Sequence, residues 1–172
     1  MGGVELIMLS GMAERLLNEF QPGIVNASIK KIVLGVDGSA PAVEATKYAV
    51  GLARWHEARI IAVFVNPDGE DNVIPEDQWA YLAKKSKRIR YGLAGLELAR
   101  RYGEANHLSV RLLLLSGNPV KQIVDVAEGD GADLIVVGDT GLTGIKRIAL
   151  GSVAAAVVEA SEIPVLVVKG RS

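Results

Sequence analysis

Three glycines and a serine near the end of the chain stand at a spacing from which chemistry can be read. Gly138 closes the apolar run ADLIVV (132–137), Gly141 follows after two residues, and Gly151-Ser152 follow after nine more. Glycine lets backbone pass close to a bulky ligand and adopt positive φ. A helix that begins at Ser152, with the run VAAAVVEA behind it, offers unpaired N–H groups and about half a positive charge to an anion. Strand, glycine-rich loop and helix start together read as a cradle for the phosphates of a nucleotide, with Gly138, Gly141, Gly151 and Ser152 around ribose and phosphate. Asp37 is the carboxylate best placed to join them. It has three possible jobs: binding ribose hydroxyls, holding a metal ion beside phosphates, or capping its own turn. Lys146 and Arg147 are either surface cations that keep the chain soluble or groups that reach a terminal phosphate.

Other chemistries are poorly supplied. The 172 residues contain no cysteine and only two histidines, His56 and His107, far apart in sequence. Thiol catalysis and disulfides are excluded, and no metal site or catalytic residue is assigned. The glycine loop lacks the G-x4-G-K-[ST] pattern of a P-loop. A formal net charge of −1 argues against a general nucleic-acid binder. No apolar run approaches the roughly 18–20 residues of a membrane span, and no basic region followed by a long apolar block opens the chain. A cytoplasmic protein with neither membrane nor nucleic acid as partner is expected. The length suits one domain, and 49% apolar with 23% charged residues is ordinary for a globular chain.

The elements that must position these residues alternate. Apolar runs predict strands at Lys31–Asp37, Arg59–Val65, Val110–Leu115, 132–137 and Pro164–Val168. Helical spacing predicts helices from Pro41, over Glu76–Asn106, from Pro119 with Asn118 as its cap, and from Ser152 to Ala160. Asp68–Pro75 reads as a polar loop. Gly92 and Gly95 weaken the middle of the long helix, so a kink or a close contact is expected there. Its basic run, Lys84–Arg90, falls mostly opposite the apolar stripe and reads as a solvated face. Residues 1–30 stand apart as an extension. In it two readings stand open: a short helix capped by Ser10 and running to Phe20, broken by Pro22-Gly23, whose Leu16–Phe20 side docks on the domain or on a partner subunit, or a partly frayed extension. Residues 31–172 form the domain itself.

Five alternations call for an α/β fold: an open five-stranded parallel sheet with helices on both faces, flavodoxin/Rossmann-like, in strand order 3-2-1-4-5. In such sheets ligands bind beyond the carboxyl ends of the strands where the winding reverses. With that order the first and fourth strands are neighbours, so Asp37 and Gly138 converge. Val65, ending the second strand, is then placed to offer backbone hydrogen bonds to a base.

Together these residues resemble the universal stress protein family, specifically its ATP-binding branch. That branch carries G-x2-G-x9-G-[ST] after the fourth strand, and the spacing from Gly138 to Ser152 matches it in full. The segments IVLGVDGSAPAVEAT, GNPVKQIVDVAE and IPVLVVK resemble the family's first strand and helix, the start of its third helix and its closing strand. The likeness spans Lys31–Lys169. It implies that Asp37 lies near ribose and phosphate, that the Val65 backbone meets adenine, and that Gly138, Gly141, Gly151, Ser152 and Val153 form the ribose- and phosphate-binding loop. The family usually has serine and histidine between the first two glycines, where this chain has Asp139 and Thr140. The resemblance further implies an ATP-binding stress-response regulatory or sensor protein with slow or no hydrolysis, ATP bound with Mg²⁺ (ADP and AMP staying open), and a homodimer through the closing strand. Two alternatives remain at this point: a slow ATPase or ATP-dependent enzyme, and a nucleotide-free dimeric interaction module.

Overall fold

The segment RIIAVFVN forms β2 (Arg59–Asn66), in which every residue after Arg59 is buried. Only a strand covered on both faces buries consecutive residues in this way. Beside it runs β1 (Lys31–Gly35), whose Ile32, Val33 and Leu34 are fully buried. A computed structural model describes residues 28–141 and 150–170, with residues 11, 13–15 and 19 of the extension. The remaining elements are α1 (Ala40–His56), β3 (Asn72–Val73), α2 (Glu76–Lys85), α3 (Lys87–Ala105), β4 (Val110–Ser116), α4 (Pro119–Asp130), β5 (Leu134–Gly138), α5 (Ser152–Ala160) and β6 (Val165–Val168).

Strand alternation divides the core. Ile32, Leu34, Ile60, Ala62 and Phe64 face α1 and α3, whereas Val33, Ile61, Val63 and Val65 face α4 and α5. On α1, Ala42, Ala45, Ala49 and Ala53 form a smooth inner stripe that lets the helix lie close to the sheet. On α3 a Cβ at Gly92 would stand 2.1 Å from the Phe64 ring. That glycine marks a close contact between helix and sheet.

Two expectations are corrected. The sheet has six strands and is mixed, in the order β3-β4-β2-β1-β5-β6, in place of a five-stranded, all-parallel sheet of order 3-2-1-4-5. The additional strand lies inside the segment read as a polar loop. Asn72 and Val73 pair antiparallel with Ser116 and Leu115, at one edge of the sheet. Two residues are too few to show a period, and such a piece shields the unpaired groups of an edge. The helix expected over Glu76–Asn106 is two helices. Ser86, extended at φ −125 and ψ 120, divides them. Its N–H donates to Leu82 O to end α2, and its hydroxyl accepts from Ile89 N at 3.3 Å to begin α3. The basic residues around that break are exposed, as a solvated face requires.

The helix expected from Ser10 to Phe20 lies largely outside the described residues. Those described, 11, 13–15 and 19, are helical and exposed.

Candidate functional site

The β1–α1 turn is held at every residue. Val36 N–H donates to Val63 O at 2.9 Å. Gly38 has φ +80, and a Cβ there would meet Tyr91 O of α3 at 2.3 Å, so only glycine fits. Ser39 N–H donates to Asp37 Oδ1 at 2.9 Å. The Ser39 hydroxyl in turn accepts from Ala42 N at 3.3 Å and so caps α1. Asp37 therefore braces its own turn, the plainest of its three candidate roles. Its second carboxylate oxygen, Oδ2, faces Gly141, where a Cβ would come within 2.8 Å.

The opposite wall starts at Gly138, the last residue of β5. A Cβ on it would meet the Pro41–Ala42 backbone at 2.8–2.9 Å, so this glycine admits the start of α1. The Ser39 hydroxyl donates to Thr140 O at 3.4 Å and ties the two walls together. Asp139 N–H donates to Val168 O at 2.8 Å, and Asp139 O accepts from Gly151 N–H at 2.7 Å. The connection thus leaves and returns at one point. Gly151 lacks a Cβ where one would press on Asp139 O at 2.8 Å. The Asp139 carboxylate accepts from Gly170 N–H and from the Thr140 hydroxyl, each at 3.3 Å, which holds it toward the segment after β6.

Strand register carries these groups to one level. β1 pairs Gly35 with Val63 and Leu34 with Val136, so Asp37, Val65 and Asp139 stand at the same carboxyl end of the sheet. Asp37, Gly138, Gly141 and Gly151 come together at the crevice. Val65 is buried one strand away. Ser152 and Val153 open α5 and are exposed; Gly151, its N-cap, supplies no side-chain acceptor to the first N–H groups. The crevice borders on residues 142–149, which include Lys146 and Arg147 and lie outside the described residues. Two surface cavities, of about 550 and 320 Å³, lie elsewhere: one beside β3 and β4 and one between α4 and α5. Neither contains the chemistry. No group of three or more His, Cys, Asp or Glu residues that could hold a metal is present among the described residues.

Three further residues shape the site and were not singled out from sequence. Gly38 and Ser39 hold the first wall, and the signal for Ser39 was present as a hydroxyl two residues before the proline of a helix start. Asn66, next to Val65, is buried; its Nδ2 donates to Asp68 O at 2.8 Å while its Oδ1 has no partner among the described residues. The sequence offers Asn66-Pro67 only as the end of a strand.

Residues 28–169 match the sequence profile of the universal stress protein family. The chain belongs to that family. A universal stress protein of Methanocaldococcus jannaschii is 38% identical over 141 residues, which cover 81% of this chain and 82% of that one. Among solved structures, a universal stress protein in complex with cAMP is similar at 28% identity and a TM-score of 0.61, covering 84% of this chain and 99% of that one. The universal stress protein UspA from Lactobacillus plantarum is similar at 27% identity and a TM-score of 0.65, covering 83% and 99%. The spacing Gly138-x2-Gly141-x9-Gly151-Ser152 places the chain in the family's ATP-binding branch. Its departure from that branch at Asp139 and Thr140 has a structural partner, since both residues are engaged with Gly170, Ser39 and each other. Among the described residues no helix is long and apolar enough to cross a membrane.

Proposed function

We propose that this chain is a stress-response regulatory protein that binds an adenine nucleotide, ATP with Mg²⁺, in the crevice between the β1–α1 turn and the β5–α5 connection, and turns it over slowly or not at all. The observation that carries this reading is the meeting of Asp37, Gly138, Gly141 and Gly151 at the carboxyl end of β1 and β5, the place where open sheets take ligands. The start of α5 supports it. With Gly151 as N-cap, no capping side chain among the described residues satisfies the first N–H groups of the helix, which suits a phosphate better than it suits empty solvent. Ser152 and Val153 would carry those donors. Asp37 would bear on ribose and on a phosphate-bound cation, and the Val65 backbone on the base. The relative solved with cAMP belongs to the same fold at 28% identity, so the adenine class has a precedent in the family. Val165, Leu166 and Val167 of β6 are only half-buried at an edge of the sheet. Pairing of two closing strands into a homodimer would cover them.

Thermal unfolding with and without Mg-ATP tests the reading. Ligand at a thousand times its dissociation constant stabilises by about 4 kcal/mol, so millimolar Mg-ATP is expected to raise Tm by several degrees. Asp37→Asn, which keeps an acceptor for Ser39 N–H and removes the charge, is expected to weaken Mg-ATP about tenfold. Parallel runs with cAMP and AMP identify the preferred phosphate. A folded protein whose Tm does not move with any of the three would sink the proposal. Phosphate release at the scale of ordinary enzymes, about 1 per second or more, would replace it with an ATPase.

A further inference from the structure

The chain leaves β6 beside the crevice, and the way it leaves fixes the side of the sheet that Lys169 faces. Asp139 N–H donates to Val168 O at 2.8 Å, and Gly170 N–H donates to the Asp139 carboxylate at 3.3 Å. The backbone groups of residues 168 and 170 thus both point toward β5, as they do where a strand continues. A Cβ on Gly170 would meet Pro41 Cγ of α1 at 2.9 Å, and Val168 packs with the core on that same α1 side. Alternation then turns Lys169 to the other side of the sheet. There Val165 and Val167 pack with Ala154 and Val157 of α5.

The start of α5 lies on this side and at this end of the sheet. Gly151 N–H donates to Asp139 O at 2.7 Å. Asp139 alone therefore stands between Gly151 and Val168, the residue before Lys169, and the four-carbon stem of a lysine covers that separation. A nucleotide would bring its phosphates into a crevice that already holds the Asp37 carboxylate, so a cation is needed there. Lys169 is exposed and makes no hydrogen bond or ion pair among the described residues. The neighbouring Asp139 carboxylate is taken by Gly170 N–H and the Thr140 hydroxyl. Lys121, exposed at the start of α4 and at the same end of the sheet, is by contrast held by Asp71 at 3.0 Å and by Asp125 at 2.7 Å. A lysine left without a carboxylate, beside a site that takes an anion, is a point charge available to phosphate.

We propose that Lys169 binds the phosphate chain of the nucleotide from the β6 side of the crevice. This rests on the nucleotide reading and adds to it the side chain that offsets the phosphate charge. Isothermal titration of the full chain with Mg-ATP tests it. Lys169→Ala is expected to raise the dissociation constant about tenfold, and Lys169→Arg, which keeps the charge, to restore it to within about twofold. The loss is expected to shrink as salt rises from about 0.05 to about 0.5 M, because exposed charges are screened. Lys121→Ala is expected to leave the constant unchanged. Urea midpoints should match the parent's, since Lys169 is exposed and holds no partner in place. Mg-ATP bound equally well by the parent and by Lys169→Ala overturns the proposal and leaves the nucleotide reading standing. So does an equal loss in Lys121→Ala, which reduces the effect to net charge, and so does a loss that ignores salt and that Lys169→Arg does not restore. A folded parent that binds no Mg-ATP overturns both.

Discussion

Between Gly35 and Ala40 the chain crosses from β1 to α1 in four residues, 36–39, each fixed by a backbone bond, a cap or a glycine that nothing else replaces. Between Gly138 and Ser152 it takes thirteen, and the described part of that connection is secured only at its two roots. The two walls of one crevice are thus built differently. The first takes its position from α3 behind it, through Tyr91 and Gly95. The second takes its position from Val168, Gly170 and Ser39, which touch only its ends. The first wall is braced from behind by a helix, whereas the described ends of the second are braced by the segment around β6 and by the first wall itself.

The largest effect should come from disturbing the fixed wall. Gly38→Ala forces a positive φ on alanine and a Cβ onto Tyr91 O, and is expected to cost about 3 kcal/mol of stability. Gly151→Ala meets Asp139 O at a similar distance, but its φ of −60 suits any residue, so a loss of about 1 kcal/mol is expected. Urea unfolding midpoints measure both, and equal losses would break the contrast.

Asp139→Ala is milder. It removes an acceptor from Gly170 N–H and from the Thr140 hydroxyl, each at 3.3 Å, and should cost about 0.5–1 kcal/mol. Isothermal titration with Mg-ATP should give an unchanged dissociation constant, because the carboxylate is held toward the segment after β6. A tenfold tightening would instead put its charge beside the phosphates.

The smallest effect sharpens the role of α3 as the support of the fixed wall. Hydrogen bonds from Arg100 and Arg101 lower the Glu97 carboxyl from 4.5 to about 2. A group depressed in the folded state contributes stability above its unfolded value and loses it as the pH falls. The contribution of Glu97 is therefore present above pH 4.5 and fades toward pH 2. Its side chain is 41% exposed, so solvent screening keeps the effect slight. Thermal scans of Glu97→Gln against the parent should differ a little at pH 7 and converge near pH 2. A gap that widens on acidification would contradict this assignment.

What the sequence made legible followed from how strongly each feature is encoded. The five long strands are apolar runs, and the helix starts at Asn118 and Ser152 carry caps or small residues that announce them. Asn72–Val73 is silent because two residues between Asp71 and Ile74-Pro75 are too few to show alternation. The break at Ser86 is hidden by the lysines and arginines on both sides of it, which read alike in a helix or a turn. The site was half legible. Glycine spacing pointed to the candidate crevice, and register explains why Asp37 stands beside Gly141. The work of those glycines was not visible, because it depends on partners distant in sequence: Gly138 admits Pro41, Gly141 faces Asp37, and Gly151 sits on Asp139. The absent Cβ atoms bring the walls together. Asn66 escaped notice because a buried amide with an unpaired oxygen has no signature in sequence.

The hydrogen bond from Gly151 N–H to Asp139 O has a consequence for insertions. It shuts the β5–α5 connection at its neck, so the sheet and α5 meet the same junction whatever stands between Gly141 and Leu150. Lengthening a closed loop costs only about 0.6 kcal/mol for each doubling. An insertion after Gly141 is therefore expected to cost the sheet and α5 little stability, because both already meet at this bond.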